Sequence, residues 1–277
     1  MDSFRRLVAH SRPRFWLYLA GPALVGLAYG VTTPWQVIDP FVVALLLYFL
    51  IPANLFLYGI NDIFDAEVDR HNPKKAGPET RYRGDPTLLA AVGACGGLGI
   101  GLVALAPRGA VPWLVGFIAL GVAYSAPPLR FKTTPGLDSI TNGLYLFPGA
   151  AAYVVVADVQ PPIMAVAGAW LWTMGMHTYS AIPDIRSDRR VGIATTATAL
   201  GPRGSYAYVG ACWTLAALAF AALDPRLGAL LGIYPGVIVV TLITGLNTRR
   251  VYWWFPAING LVGAALTMGG IWVMVHG

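Results

Sequence analysis

The stretch INDIFDAEVDR, residues 60–70, sets four carboxylates, Asp62, Asp65, Glu67 and Asp69, at the end of a long apolar run. Asp62, Asp65 and Asp69 are spaced i, i+3, i+7, so on a helix they share one face, and Glu67 points elsewhere. Three carboxylates on one face repel each other unless a cation sits among them. An oxygen-only set suits a hard ion, Mg²⁺ or Ca²⁺. Asn61 adjoins the acids, and Asn54 extends the polar line back into the apolar segment.

The rest of the chain has a different character. Of 277 residues, 56% are hydrophobic and 12% charged, against about 25% charged in a soluble domain. Mean hydropathy is +0.61. With 32 Gly and 9 Trp, this is the composition of an integral membrane protein. No polar linker divides the chain, so residues 1–277 read as one polytopic, all-α domain. The cysteines, Cys95 and Cys212, lie in apolar runs without metal-ligand spacing and read as small core residues.

A helix that crosses a bilayer needs about 20 apolar residues. Nine segments are candidates: 14–32, 40–61, 87–106, 111–126, 137–157, 162–182, 205–223, 227–246 and 254–275, the fourth being the weakest. They predict nine transmembrane helices. The basic stretch ahead of the first lacks a small-residue cleavage site, so that helix is expected to be retained. Gly93, Gly97 and Gly101 recur every fourth residue in the third segment and predict a close-packing face.

Nine crossings place the N-terminus and the loops after helices 2, 4, 6 and 8 on one side. That side holds 17 of the 19 Lys and Arg residues; only Arg108 and Arg226 fall on the other. By the positive-inside rule the basic side is cytoplasmic and the C-terminus lies outside. Arg5, Arg6, Arg249 and Arg250 read as topology determinants. The net charge of +6 is accounted for by this bias and by anionic lipid or substrate. No basic tail points to nucleic acid.

A second acidic stretch, SAIPDIRSDRRVG, residues 180–192, ends the sixth segment. Asp184 and Asp188 are i, i+4 and share a face, with Arg186, Arg189 and Arg190 around them. Between the two clusters, YSAPPLRFK, residues 124–132, brings Tyr124, Arg130 and Lys132 to the same side. Mg²⁺ is usually held by one or two carboxylates together with substrate phosphates. Two acidic faces, fixed cations and an apolar interior suit a ligand with a diphosphate head and a hydrocarbon tail, an isoprenyl diphosphate.

These residues resemble the UbiA superfamily of intramembrane prenyltransferases along nearly the whole chain. The first family motif, Asn-Asp-x-x-Asp-x-x-x-Asp, is matched by Asn61, Asp62, Asp65 and Asp69. The loop with Tyr, paired prolines and basic residues is matched by Tyr124, Pro127, Pro128, Arg130 and Lys132. Of the second motif, Asp-x-x-Asp-x-x-x-Asp, the last two acids are Asp184 and Asp188, followed by Arg189 and Gly192. The first is replaced by Ala181, which removes a ligand and argues against the ordinary quinone-pathway members. The run MHTYSAIPDIRSDRRVGIATTATALG, residues 176–201, is similar to the branch that acts on carotenoids, the lycopene elongases.

The resemblance implies a nine-helix bundle with a central cavity that opens to the cytoplasmic loops of a cell-membrane protein. It implies that Asn61, Asp62, Asp65, Asp69, Asp184 and Asp188 hold Mg²⁺ against the diphosphate of an allylic donor, dimethylallyl diphosphate. Arg70, Arg130, Lys132 and Arg189 are candidates to neutralise its oxygens. Metal and cations then stabilise the charge on the leaving group, and the allylic cation is attacked by a lipophilic acceptor such as lycopene. Asn54, Asn142, Tyr145, His177 and Tyr179 are polar residues at or within membrane segments and candidates to line the substrate cavity. For His177, a proton acceptor and a helix-to-helix hydrogen bond both stay open. Aromatic, quinone-precursor and tetrapyrrole acceptors also stay open. A transporter would carry its ionisable residues near the midplane on broken helices, whereas these acids sit at helix ends. A CDP-alcohol phosphotransferase would gather its acids in one long motif.

Overall fold

The computed structural model describes residues 3–66, 82, 84–190 and 192–276, and every regular element among them is helical. In chain order the α-helices are α1 (Ser3–His10), α2 (Leu17–Gly30), α3 (Pro40–Leu50), α4 (Pro52–Phe64), α5 (Pro86–Leu105), α6 (Val111–Ser125), α7 (Leu137–Ile140) and α8 (Phe147–Ala157). They continue as α9 (Ile163–Ala181), α10 (Ile185–Arg190), α11 (Thr196–Ala221), α12 (Pro225–Leu231), α13 (Ile233–Thr244), α14 (Thr248–Trp253) and α15 (Phe255–His276). Helices occupy all nine apolar segments, yet among the described residues six stretches are long and apolar enough to cross a membrane. These are Pro40–Phe64, Pro86–Leu105, Leu137–Ala157, Thr196–Ala221, Pro225–Thr244 and Phe255–His276. The other three differ for visible reasons. With 14 and 15 residues, α2 and α6 are each only about 21–23 Å long at 1.5 Å per residue. Helix α9 has 19 residues but carries Thr173, His177, Thr178 and Ser180.

Four of the six long stretches are not continuous α-helices: Pro225–Thr244 divides at Gly232, Thr196–Ala221 kinks at Gly201, and the other two break beside candidate residues. Pro52 cannot donate a backbone N–H, so the helix breaks at Ile51. The Asn54 amide repairs the break. Its Nδ2 donates to the carbonyls of Phe49 (3.1 Å) and Leu50 (3.0 Å), and to that of Trp16 at 3.4 Å. In 137–157, a 3₁₀ run over Thr141–Leu146 separates α7 from α8. There the Asn142 side chain donates to the Asp138 carbonyl, the bond its own backbone N–H makes in an α-helix.

The chain forms two compact units. The first takes Met1–Leu129, Phe147–Gln160 and Gly269–Gly277; the second takes Arg130–Leu146 and Pro161–Met268. In the first, α2 and α8 cross backbone to backbone. A Cβ on Gly26 would lie 2.6 Å from the Gly149 carbonyl carbon, and one on Gly149 would lie 2.7 Å from the Pro22 oxygen. In the same unit the Phe49 and Phe117 rings meet edge to face at 5.2 Å. The expected glycine face of α5 is corrected here. Nothing lies within 4 Å of a Cβ on Gly93, Gly97 or Gly101. The packed glycines are Gly96, against Phe56, and Gly99, against Tyr48. Spacing of four aligned the first three correctly on one face, but it is the outer one.

In the second unit α9 packs on α11 through Gly168 against Phe220 and Gly175 against Trp213. Trp213, Tyr179, Tyr234 and Phe255 are fully buried and form one aromatic core. Both cysteines are buried and unbridged.

Candidate active site

In the first unit, α4 carries Asn61 and Asp62 and ends at Asp65. Asp62 is only 2% exposed, and a buried carboxylate needs partners. His10 at the end of α1 places Nδ1 2.8 Å from Asp62 Oδ2. Arg12, in the left-handed turn that follows (φ 51°), donates from Nη2 to Asp62 Oδ1 at 3.0 Å. The Arg12 guanidinium also lies 4.6 Å from the Tyr58 ring centre. Tyr58 and Asp62 are i, i+4, so Arg12 spans one face of α4. Asn61 Nδ2 donates to Ser125 Oγ at 3.3 Å. The remaining first-motif acid, Asp69, and Arg70 lie outside the described residues.

In the second unit, α9 passes through one 3₁₀ turn, Ile182–Asp184, into α10 without leaving right-handed helical backbone. Asp184 and Asp188 are half-buried on this rod. Arg249 at the start of α14 places Nη2 3.6 Å from Asp184 Oδ1. Arg189 is held elsewhere. Pro202 has no N–H to give the Thr198 carbonyl, α11 kinks at Gly201 (φ 68°), and Arg189 donates to that carbonyl from Nε at 3.1 Å and also from Nη2. Arg130 adopts a left-handed conformation (φ 39°) at the head of the short turn that holds Lys132.

The structure adds a polar cluster that the sequence reading omitted. Asp138 is 0% exposed. It accepts from the Thr196 N–H at 3.0 Å and from the Thr196 hydroxyl, and His177 Nε2 lies 3.3 Å from its Oδ2. The Thr196 hydroxyl in turn accepts from the Gly136 N–H at 2.8 Å. Ser139 bonds the hydroxyls of Tyr208 (3.0 Å) and Thr178 (3.2 Å). An acid inside an apolar segment was the available signal. Of the other candidates, Asn54 and Asn142 give their amides to backbone carbonyls, and Tyr179 is enclosed in the aromatic core. Tyr124 and Tyr145 are half-buried.

Among the described residues no three His, Cys, Asp or Glu side chains are gathered closely enough to hold a metal by themselves. The donor chemistry still fits a hard ion. Asn61, Asp62 and Asp65 offer oxygen only, as do Asp184 and Asp188, and Mg²⁺ binds through one or two carboxylates when phosphates supply the remainder.

The stretch Pro40–Phe64 is long and apolar enough to span a bilayer and carries Asn61, Asp62 and Asp65 at its end. The sequence matches the UbiA prenyltransferase family over residues 16–259, and the chain belongs to that family; it is a prenyltransferase and an integral membrane protein. It is 58% identical to a lycopene elongase/hydratase of Haloferax volcanii, covering all of this chain and 92% of that one. It is 54% identical to a lycopene elongase/hydratase of Halobacterium salinarum, covering 99% of this chain and 100% of that one. Its fold is that of a UbiA homolog from Archaeoglobus fulgidus bound to GPP and Mg²⁺, with TM-score 0.72 at 20% identity over 96% of this chain and 99% of that one.

Proposed function

We propose that this protein transfers an isoprenyl group from dimethylallyl diphosphate to a carotenoid acceptor such as lycopene. The observation that carries this reading is 58% identity, over the whole chain, to a lycopene elongase/hydratase. The Archaeoglobus homolog supports the donor, since it binds DMAPP or GPP together with Mg²⁺.

Asn61, Asp62, Asp65 and Asp69 of the first motif, and Asp184 and Asp188 of the second, are the residues that would hold Mg²⁺. Bound Mg²⁺ supplies positive charge that stabilises the departing diphosphate. Arg70, Arg130 and Lys132 add fixed cations for the same oxygens. The allylic C–O bond breaks and its electron pair leaves on the diphosphate. A terminal alkene of the acceptor gives the pair for the new C–C bond, and the positive charge moves to a tertiary carbon of the acceptor. Loss of a proton, or addition of water and then loss of a proton, completes the product. In this reading residues 1–277 act as one domain that crosses the cell membrane nine times. Its basic, acid-bearing loops are cytoplasmic, as the distribution of 17 to 2 among Lys and Arg supports. Membrane lipids surround it.

The test is expression in a host that makes lycopene, with pigments weighed by mass spectrometry and Asp65→Asn and Asp184→Asn as controls. Products heavier by one or two five-carbon units, absent from both variants, are the expected result. Unchanged lycopene beside well-expressed protein overturns the carotenoid assignment and makes quinone precursors the next acceptors to assay.

A further inference from the structure

We propose that Arg12 is a specificity-determining residue of the first acidic motif. Its guanidinium on Asp62 turns the site against a bare divalent cation and toward one that arrives complexed to a diphosphate. This inference rests on the reading of the first motif as a site for Mg²⁺ and the diphosphate donor, and it names the residue that favours the pair over the ion alone.

The first observation is where the positive charge sits. Asp62 is 2% exposed, and each of its oxygens has a donor. Arg12 Nη2 donates to Oδ1 at 3.0 Å, and His10 Nδ1 lies 2.8 Å from Oδ2. Arginine is not deprotonated in proteins. The carboxylate that the motif offers to a metal therefore has a permanent cation beside it.

The second observation is how firmly that cation is placed. The Arg12 backbone is left-handed (φ 51°), and the guanidinium lies 4.6 Å from the ring centre of Tyr58, one turn before Asp62 on α4. The turn that carries Arg12 is closed by Ser11, itself buried. The Ser11 hydroxyl donates to the Val8 carbonyl at 2.7 Å and accepts the Trp16 indole N–H at 3.0 Å. Arg6, 3.2 Å from Asp85, fastens α1 to the start of α5. The guanidinium is thus fixed from the turn behind it and from the ring beneath it.

The consequence follows from charge. A bare Mg²⁺ at Asp62 shares the carboxylate with Arg12 and is repelled by it. In bulk water two unit charges about 4 Å apart alter an equilibrium roughly fivefold, and a divalent ion squares that factor. Dissolved salt screens part of this, which leaves a penalty of about tenfold. An ionised diphosphate carries more negative charge than one Mg²⁺ neutralises, so their complex is an anion on balance. Arg12 repels the ion alone and attracts the complex. Metal and diphosphate enter together, and the motif is not filled by metal beforehand.

A purely structural role, holding α1 to α4, is the competing account, and binding measured without turnover separates the two. Full-length protein in lipid nanodiscs is titrated with Mn²⁺, which takes oxygen ligands as Mg²⁺ does, and the unbound ion is followed by electron paramagnetic resonance. Binding of radiolabelled inorganic pyrophosphate in excess Mg²⁺ is measured by equilibrium dialysis. Arg12→Gln is expected to bind Mn²⁺ about tenfold more tightly and pyrophosphate about tenfold more weakly. Arg12→Lys keeps the charge and should return both affinities toward wild type. A structural role moves the two affinities together or leaves both alone, and any outcome other than opposed shifts in Arg12→Gln overturns the inference. Asp65→Asn tests the reading beneath it. Unchanged Mn²⁺ affinity in Asp65→Asn removes the metal from the first motif and takes the inference with it. Weaker Mn²⁺ binding in Asp65→Asn, with no gain in Arg12→Gln, overturns the inference alone. If Arg12→Gln does not accumulate, Tyr58→Leu decides, since it leaves both charges and removes the ring that fixes the guanidinium. A gain in Mn²⁺ affinity there supports the inference, and wild-type affinity overturns it.

Discussion

His10 Nδ1 lies 2.8 Å from Oδ2 of Asp62, which is 52 positions away in the chain. Arg12 takes the other oxygen of the same carboxylate. The segment around α1 thereby closes over the first acid of the first motif. Removing Arg12 strips a nearly buried carboxylate of one of its cationic partners. Breaking a fully buried pair costs about 3–5 kcal/mol. Arg12 is 25% exposed, so roughly 1–3 kcal/mol is expected for Arg12→Ala after screening by water. Thermal unfolding in lipid nanodiscs measures it. A variant as stable as the wild type would show that α1 contributes nothing to holding Asp62.

The α2–α8 crossing has no room for a side chain. Gly26→Ala forces a methyl group into the Gly149 backbone, at an expected cost of about 3 kcal/mol or more, above the usual range for an overpacked side chain. Gly97→Ala meets open space and should be neutral or favourable by up to about 1 kcal/mol, from helix propensity alone. The yield of monodisperse protein from the two variants compares them directly. Equal loss in both would restore the outer glycines of α5 as a packing face.

Arg189 and the pair Arg130 and Lys132 should separate in kinetics. Arg189 supports the Thr198 carbonyl that Pro202 leaves without a donor. Arg189→Gln is therefore expected to lower stability by roughly 1–2 kcal/mol, the order of a hydrogen bond to a charged group, with KM for the diphosphate donor unchanged. Arg130→Gln and Lys132→Gln should instead raise that KM with little change in unfolding temperature. A raised KM in Arg189→Gln alone would assign the diphosphate to Arg189.

Asp85 caps α5 by accepting the Thr87 N–H at 2.9 Å, with Arg6 3.2 Å away. The Thr87 bonds first, and Arg6 after them, hold its pKa below the ordinary carboxylate value. A carboxyl depressed on folding gives stability that is complete above its unfolded pKa and is lost as pH falls through the folded one. Asp85→Asn keeps a capping oxygen but does not titrate. Its unfolding temperature should fall less than that of the wild type between neutral pH and pH values below the carboxylate range. Parallel acid limbs for the two proteins would remove Asp85 from the account.

Much of this protein was legible in one dimension because its strongest signals are local. An apolar run long enough for a bilayer is helical wherever it lies, since lipid offers the backbone no other partner. Helices occupy all nine runs, six of the helical stretches among the described residues are long and apolar enough for a bilayer, and Asp62 and Asp65 fall at the end of α4. The family followed from those motifs. The sequence pattern misled where the answer depended on a neighbour. A spacing of four says that Gly93, Gly97 and Gly101 share a face, but not which helix that face meets. Asn54 and Asn142 were visible as polar residues in apolar helices, yet only the folded backbone shows the orphaned carbonyls they serve. Asp138 and His177 stand 39 residues apart, and nothing in either segment names the other as its partner. Their partnership exists because α9 and α11 pack with Thr196 and His177 on either side of one buried carboxylate. Hydrogen bonds of that kind depend on distances of about 3 Å across separate helices, a relationship that local periodicity does not carry.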